Sequence, residues 1–217
     1  MNYHRITYSS NEAEVGRTFP QSHVAKNVIS IEDKLHLWKQ DLGISLSSNI
    51  VLPQPVLHPN AKLTDLISTT SITLQLIISG KLKAILKSSI RPKTCDLLPV
   101  SVWYLNVEHN YWMLNPVTFD TQLIDFQKSE IWLHGSGNTK IKQLIFHNYT
   151  EFNEYGQQLA LPQRLFIAKV VFVKKTNQDF IQLRQVAGGV GYYVSEKLKN
   201  EIQSAGCTGI NFTTADI

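Results

Sequence analysis

Residues 194–212 read VSEKLKNEIQSAGCTGINF, and this stretch carries the clearest structural signal in the chain. Ser195 is a residue type that caps helix N-termini, and Leu198 and Ile202 are four positions apart, which places them on one helix face. Gly206 suits the left-handed conformation that ends many helices. The stretch therefore predicts a capped amphipathic helix followed by a short strand.

A second segment begins in the same way. Residues 78–83 read ISGKLK, and residues 194–199 read VSEKLK. In both, an apolar residue precedes a serine and a leucine follows three positions later, so we predict a helix over 78–87 that is also capped at its start. Two interpretations stay open: convergence on a good capping sequence, or a true repeat of a strand-helix unit.

The region between residues 97 and 175 is rich in β-branched and aromatic residues, which favour strands. Short runs bounded by turn residues predict an antiparallel meander, with Glu108-His109-Asn110 as one hairpin loop. The fold class that follows is α+β, with an antiparallel β-rich central part flanked by helices and a capped C-terminal helix. The predicted strands are 98–107, 111–119, 130–134, 141–146 and 165–174.

The first sixty residues predict a strand at 3–8, a helix capped by Ser30 and ending near Gly43, and an extended connector over 51–61. Prolines 53, 55 and 59 make that connector the best candidate boundary. We therefore divide the chain into an N-terminal part, 1–60, and an α+β domain, 61–217. The two parts can also form one compact unit.

Charge and hydropathy argue against two classes of function, nucleic-acid binding and insertion into a membrane. The net charge of +4 over 217 residues arises from scattered basic residues, not from a basic run with interleaved aromatics, so nucleic acid is not the expected partner. The N-terminus lacks a secretory apolar stretch, and the most apolar run, 72–78, is far shorter than the ~20 residues that span a bilayer. We expect a cytoplasmic protein that does not enter a membrane.

No pattern in the sequence predicts a catalytic, cofactor-binding or metal-binding residue. Cys95 and Cys207 belong to no CxxC motif, and none of the seven histidines has the spacing of a zinc site. The Gly188–Gly191 turn lacks the glycine spacing of a nucleotide-binding loop. We expect no cofactor and no enzyme activity. An enzyme whose site is assembled from dispersed carboxylates and histidines, or a basic nucleic-acid-binding module, stays open as an alternative.

Residues 147–156 combine three aromatic residues with two acids and predict a helix capped by Thr150. Aromatic anchors with charged neighbours are typical of protein interfaces, and an acidic patch suits a basic partner such as a nuclease toxin. The alternative is an amphipathic helix with Phe152 in the core. The predicted partner-binding residues are Tyr149, Glu151, Glu154 and Tyr155.

Several segments of the chain share the motifs of one protein family, and these motifs are a capped helix and short strands, not chemical ligands. The segments are 193–202 with 206–212, Ile78-Ser79 with Leu82, Leu98–Val102, Tyr111–Asn115 with Asp125, and Leu161-Pro162 ahead of Leu165-Phe166. In these segments the chain, over roughly residues 60–217, resembles a bacterial immunity-protein family of polymorphic toxin systems, a myxobacterial-type immunity domain formerly classed as a domain of unknown function.

This resemblance implies a cytosolic antitoxin that binds a cognate protein toxin delivered by a neighbouring cell. Such a protein occludes the toxin without catalysis, which agrees with the lack of a catalytic pattern. Members of the family diversify at the toxin interface. The resemblance therefore predicts the class of partner and leaves the contact residues and the oligomeric state open.

Overall fold

The computed structural model describes residues 2–37, 40, 43–46, 49–173 and 176–215. No helix in this part of the chain is long and apolar enough to cross a membrane. The helices are α1 (Glu12–Val15), α2 (Gly80–Lys87), α3 (Tyr149–Gln157) and α4 (Glu196–Ser204). The strands are β1 (Tyr3–Tyr8), β2 (Val24–Lys26), β3 (Gln54–Val56), β4 (Leu66–Ile67), β5 (Leu76–Ser79), β6 (Cys95–Tyr104), β7 (Val107–Pro116), β8 (Glu130–His134), β9 (Lys140–Leu144), β10 (Arg164–Lys169), β11 (Phe180–Val186), β12 (Gly189–Ser195) and β13 (Ile210–Ala215).

The strands form two sheets. One has the order β13-β1-β12-β11-β10-β8-β9, and the other has the order β2-β3-β6-β7-β5-β4. Most neighbours are antiparallel, but β10 pairs with β11, and β3 with β6, in parallel. The predicted α+β class is confirmed. An antiparallel arrangement was predicted for the central region 97–175, and each of the two parallel pairs includes a strand outside that region, β11 or β3.

The helices α2 and α4 contribute to a buried core that also contains side chains from both sheets. This shared core explains the apolar stripes of the two helices, because α2 packs against β5, β7 and α4, and α4 packs against β1 and β12. Its fully buried helical and strand members include Leu66, Ile78, Leu82, Leu86, Leu114, Val194, Leu198 and Ile202.

Both predicted helix caps are confirmed. The Ser79 hydroxyl accepts a hydrogen bond from the Leu82 amide at 3.1 Å, and the Ser195 hydroxyl accepts one from the Leu198 amide at 3.2 Å. Gly206 follows α4 with a φ of 64°, which is the left-handed conformation that glycine favours. Sequence and structure agree closely over this part of the chain.

The likeness between the two helix starts extends beyond the cap. The Ser79 hydroxyl donates to the Asp65 carboxylate at 2.6 Å, and the Ser195 hydroxyl donates to the Asp179 carboxylate at 2.5 Å. The serine amides donate to the carbonyls of the same aspartates, at 2.8 and 3.0 Å. The two helices therefore begin on the same serine-aspartate unit.

The strands around the two helices repeat as well. In one half, the hairpin β4-β5 leads into α2, and the strands lie in the order β4-β5-β7-β6. In the other, the hairpin β11-β12 leads into α4, and the order is β11-β12-β1-β13. All six pairings are antiparallel. The first strand of the chain thus occupies the position in one half that β7 occupies in the other.

The first sixty residues contribute to both sheets. β1 lies between β12 and β13, and the proline-rich connector forms β3, whose Val56 pairs with Trp103 of β6. Pro55, which has no backbone N–H to donate, lies in this three-residue strand. The strand pairs with β6 at Val56, so few backbone hydrogen bonds to β6 are required. The connector was predicted to run extended without forming a regular element; the second part of this prediction is wrong, because Gln54–Val56 form a strand of the six-stranded sheet.

The predicted helix over 30–43 is wrong across residues 30–36, which form turns and a bridge. The Ser30 hydroxyl accepts the Glu32 amide at 3.2 Å, and the Asp33 carboxylate accepts the Leu35 amide at 2.8 Å. Such local side-chain bonds compete with helical backbone bonds. Positions 38, 39, 41 and 42 of the predicted helix lie outside the described residues.

The predicted hairpin loop at Glu108–Asn110 is also wrong. The turn between β6 and β7 consists of Leu105 and Asn106, whose φ values are 49° and 64°, and Glu108–Asn110 lie within β7. Two successive positive φ values define a two-residue turn that matches the twist of the flanking strands. Leucine gives no sequence signal for such a turn, which is why the prediction shifted by three residues.

Candidate functional site

The helix α3 carries the four predicted partner-binding residues, and Phe152 holds it in place. Phe152 is 1% exposed and packs against the rings of Phe126 and Phe146, with centroid distances of 5.1 and 5.4 Å. The cap is the Asn148 side chain, which accepts the Glu151 amide at 3.0 Å, and not Thr150 as predicted. Asparagine caps at least as well as threonine, so either residue satisfied the sequence pattern.

Glu151, Glu154 and Tyr155 are exposed, and their spacing places them on one face of α3. Tyr155 is 36% exposed and contacts the ring of Phe146 edge-on at 5.6 Å. We call this face the α3 surface. The helix thus presents two carboxylates and an aromatic ring to solvent while its opposite side is packed in the core.

Tyr149 lies apart from the other three residues. Its hydroxyl accepts a hydrogen bond from the Arg184 guanidinium at 3.1 Å, and its ring is 6.2 Å from that of Phe126. Tyr149 is half-buried and helps to join α3 to the sheet. The structure therefore brings Glu151, Glu154 and Tyr155 together and separates Tyr149 from them.

Glu151 also has a structural contact. Its carboxylate accepts hydrogen bonds from the His147 amide at 2.7 Å and from the His147 ring at 3.0 Å. These bonds, the backbone bond first, lower the pKa of Glu151. Because Glu151 holds the start of the helix, Glu154 and Tyr155 are the better positions for probing a partner interface.

Exposed apolar side chains precede and follow α3 in the sequence, and the sequence analysis did not predict them as partner-binding residues. Ile145 is 71% exposed and lies four positions before the first residue of the helix, and Leu161 is 93% exposed in the loop after it. Ile145 follows β9, the edge strand of the seven-stranded sheet. Apolar side chains at this level of exposure are typical of interaction surfaces when they group together.

A cavity of about 980 Å³ lies where β10 meets β11. In the described chain these two strands pair at one position, Ile167 with Val186, so the sheet opens beside that bridge. Arg164, Arg184 and His134 line the opening, together with Phe166 and the turn at residues 187–189. We call this opening the β10-β11 cavity.

His134 is the most unusual residue of the β10-β11 cavity. It pairs with Arg164 across β8 and β10, stacks on Phe166 with a centroid distance of 4.6 Å, and is 5% exposed. Neither ring nitrogen has a hydrogen-bond partner within the described residues. Burial lowers the pKa of His134, and the positive charges of Arg164 and Lys140 lower it further.

The β11 side of the cavity is shaped by a bulge. Gln185 has a φ of 61°, and the pairing register of β11 with β12 shifts between Arg184 and Val186. A bulge of this kind re-aims the neighbouring side chains. Arg5 lies behind the following turn and donates hydrogen bonds to the carbonyls of Ala187 and Val190.

A second cavity, of about 540 Å³, follows the edge of β6. It is lined by Leu98, Val100 and Trp112 on one side and by residues 50–52 and Gln54 on the other. Two hydroxyls also line this cavity, and both are engaged: Ser101 donates to the Glu108 carboxylate, and Tyr111 donates to the Thr64 carbonyl at 2.7 Å.

The two cysteines are not placed for nucleophilic chemistry. Burial raises the pKa of Cys95 to about 12, and burial also raises the pKa of Cys207. A thiol with a raised pKa holds little of the reactive thiolate at neutral pH. Across residues 2–37, 40, 43–46, 49–173 and 176–215, no three His, Cys, Asp or Glu side chains are grouped to hold a metal ion.

Comparison of the sequence with models of known protein families found no match, and comparison with curated proteins found none either. The resemblance to the immunity-protein family therefore stays a prediction that rests on the motifs quoted above.

Proposed function

We propose that this protein is a non-catalytic immunity protein, an antitoxin that binds and neutralises a cognate toxin effector of an interbacterial competition system, and that it acts in the cytoplasm. The proposal rests on the sequence resemblance for the class of partner. The α3 surface supports it, because a helix that is packed in the core presents Tyr155 beside two carboxylates.

This arrangement suits binding to a basic protein. A tyrosine buries a large area at small cost in side-chain entropy, and its hydroxyl can still form a hydrogen bond. Glu151 and Glu154 provide negative charge at the rim of the same face, which favours a positively charged partner and speeds association. Ile145, four positions before the helix in sequence, is a further exposed apolar side chain.

The first test is neutralisation. Cells that produce the toxin encoded beside this protein should survive when the protein is co-produced, and the two proteins should purify as one complex. Equal killing with and without the protein, combined with the absence of a complex, would overturn the proposed function. This outcome does not depend on which residues form the interface.

The second test locates the interface. Tyr155→Ala should weaken toxin binding by about thirtyfold or more, since interface aromatic residues at the centre of a contact often contribute at least ~2 kcal/mol. Phe19→Ala is the matched control, because Phe19 is also an exposed aromatic residue, 53% exposed, in another part of the chain. Binding affinities are measured by isothermal titration calorimetry on folded variants.

Charge is tested in the same way. Glu154→Lys should slow association and make it less sensitive to salt, with Glu32→Lys, an exposed glutamate in the N-terminal turns, as control. If the Tyr155 and Glu154 variants bind as tightly as the unaltered protein while neutralisation persists, the toxin contacts a different surface.

A further inference from the structure

The seven-stranded sheet ends in two edge strands of different character. β9 forms one edge; it carries Lys140 and Lys142, and the pairing register of β8 with β9 shifts between Leu133 and His134. Lysines and bulges are common devices that keep an edge strand from pairing with another chain. β13, Ile210–Ala215, forms the other edge and has no charged residue, no proline and no register shift against β1. β13 is therefore the unprotected edge.

Two hydrogen bonds show which backbone groups of β13 point toward β1. The Ser9 amide donates to the Gly209 carbonyl at 3.0 Å, and the Thr7 hydroxyl donates to the Asn211 carbonyl at 3.2 Å. Successive residues of an antiparallel pair alternate between bonded and non-bonded positions, and β1 and β13 pair without a break. The odd-numbered residues of β13 therefore direct their N–H and C=O groups toward β1.

The even-numbered residues of β13 direct these groups outward. They are Ile210, Phe212 and Thr214, and within the described chain neither a strand nor a loop bonds to their outer side. Unpaired backbone groups of this kind are a template for a further strand. The free edge begins after Thr208, whose carbonyl accepts the Leu66 amide at 3.1 Å.

The other half of the molecule shows that the equivalent position accepts a further strand. β13 corresponds to β6 in the repeated arrangement, and β6 is not an edge strand, because β3 lies on its outer side with Val56 opposite Trp103. Among the strands that the structure describes, none takes the place of β3 beside β13. The seven-stranded sheet can therefore be extended at β13 as the six-stranded sheet is extended at β6.

We propose that β13 pairs with β13 of a second copy of this chain, antiparallel and about a two-fold axis at Phe212. In this register Phe212 lies opposite its own counterpart, and Ile210 lies opposite Thr214 of the partner subunit. Every outward N–H group of the two strands then meets an outward C=O group. A two-fold contact closes on itself, so the assembly is a dimer. This inference does not depend on the antitoxin function.

Charge favours a second copy as the occupant. In a two-fold contact each surface meets its own kind, so a charged strand would face its own charge. β13 is uncharged; its exposed Asn211 lies opposite Thr213 of the partner subunit, where the two side chains can form a hydrogen bond. The half-buried Phe212 rings meet on the other face. The same contact between two β9 strands would bring the lysines of both copies together.

The contact is small, so the dimer is weak and reversible. A single pair of six-residue strands lies at the small end of protein interfaces, below ~1,200 Å² of total buried surface. Interfaces of that size belong to weak and transient complexes. We expect a dissociation constant on the order of 10–100 µM.

Sedimentation equilibrium of the purified full chain tests the proposal, at concentrations from about tenfold below to about tenfold above that range. The average mass should rise from 24.6 kDa toward twice that value, and no larger species should form. A mass that stays at 24.6 kDa throughout would overturn the proposal and leave the edge to a strand of another protein. Species larger than a dimer would also overturn it, since a two-fold contact does not propagate.

Two variants that share one substitution test the register. Both carry Thr213→Glu; one adds Asn211→Glu and the other adds Asn211→Lys. The first places like charges opposite each other and should raise the dissociation constant by about tenfold or more, whereas the second places opposite charges together and should dimerise at least as tightly as the unaltered chain. Both positions are exposed, and position 213 lies opposite Arg5 of β1, so a glutamate there is compatible with the folded chain.

The matched control carries Ile141→Glu and Gln143→Glu, which place two glutamates with the same spacing on the opposite edge, β9. It should dimerise as the unaltered chain does. The proposed contact is wrong if the variant with glutamates at 211 and 213 dimerises as tightly as the unaltered chain, or if the control loses the dimer to the same degree. Circular dichroism establishes that each variant is folded.

Amide hydrogen exchange provides a measurement that needs no variant. The outward amides of Phe212 and Thr214 should exchange more slowly above the dissociation constant than below it, because the second strand protects them only in the dimer. The amides of Asn211 and Thr213, which point toward β1, should exchange at the same rate at both concentrations. Unchanged exchange at Phe212 and Thr214 would exclude pairing at β13 even if a variant did not fold.

Discussion

At the scale of single residues, Asp65 stabilises the start of α2 through several hydrogen bonds. Its carboxylate accepts bonds from the Ser79 hydroxyl at 2.6 Å and the Thr208 amide at 2.9 Å, and it forms an ion pair with Lys81 at 2.9 Å. Burial alone would raise the pKa of Asp65, but the bonds from Ser79, Lys81 and Thr208 outweigh it and lower the pKa.

We predict that Asp65→Asn lowers the free energy of unfolding by about 1–3 kcal/mol at pH 7, because it leaves buried donors without a charged acceptor. A lowered folded-state pKa means that ionised Asp65 contributes stability above its ordinary value of 3.8, and that this contribution is lost as pH falls through the lower pKa of the folded state. The difference from the unaltered protein should therefore shrink below pH 4 in urea titrations.

Asp179→Asn is the matched control, since Asp179 has the same role at the start of α4. Its side chain is 25% exposed, against 10% for Asp65, and its ion pair with Lys197 is longer, at 3.6 Å. The loss of stability should be smaller. An Asp65→Asn variant that unfolds at the same urea concentration as the unaltered protein would contradict this account of the cluster.

At the scale of elements, the β6-β7 hairpin carries a local conflict between residue and conformation. Leu105 is 61% exposed and adopts a φ of 49°, which costs a residue other than glycine, asparagine or aspartate roughly 1–2 kcal/mol. We predict that Leu105→Asn raises the free energy of unfolding by about 0.5–1 kcal/mol, because asparagine tolerates the left-handed conformation.

Val107→Asn is the control for the general effect of replacing an exposed apolar side chain by a polar one. Val107 is similarly exposed, at 55%, but it lies in β7 with extended backbone, where asparagine is a poor strand residue. Urea unfolding should show stabilisation for Leu105→Asn and none for Val107→Asn. Equal effects of the two substitutions would exclude turn strain as the cause.

The elements also show what a sequence can predict. The helix α4 was predicted from its cap to its glycine stop because Ser195, Leu198 and Gly206 all favour the same structure. The helix predicted to start at Ser30 does not form there, because the side chains of Ser30 and Asp33 accept hydrogen bonds from nearby backbone amides. Apolar spacing alone does not distinguish a helix from such turns.

At the scale of the whole molecule, the repeated halves predict that the chain tolerates circular permutation. Ala215 of β13 lies opposite Tyr3 of β1, as Tyr104 lies opposite Val107 in the β6-β7 hairpin. Joining residue 217 to residue 1 would link Ala215 to Tyr3 through four residues, and the new termini would lie in the loop after β1, with Ser10 first.

This permuted chain should fold with the same circular dichroism spectrum and a free energy of unfolding within about 1–2 kcal/mol of the original, because closing a short loop changes the entropy little. A permuted chain that opens inside β1, at Ile6, is the control and should be much less stable. If neither permuted chain folds, the likeness between the two halves does not mean that β1 can be linked to β13 as β7 is linked to β6.

The candidate sites were predictable to different degrees. Glu151, Glu154 and Tyr155 are close in sequence, so helical spacing was enough to group them once α3 was predicted. His134, Arg164 and Arg184 belong to three strands, and they meet because β8, β10 and β11 are neighbours in the sheet. Strand order is a long-range property, and no local pattern in this sequence encodes it.

The central position of β1 has a consequence for synthesis in the cell. β1 leaves the ribosome before every other strand described here, yet both its neighbours, β12 and β13, begin at Gly189 or later. Until those residues emerge, the nascent chain carries a strand with two unpaired edges, which invites pairing with other chains. The seven-stranded sheet can therefore close only after β12 and β13 have emerged, and not when the first half of the chain emerges.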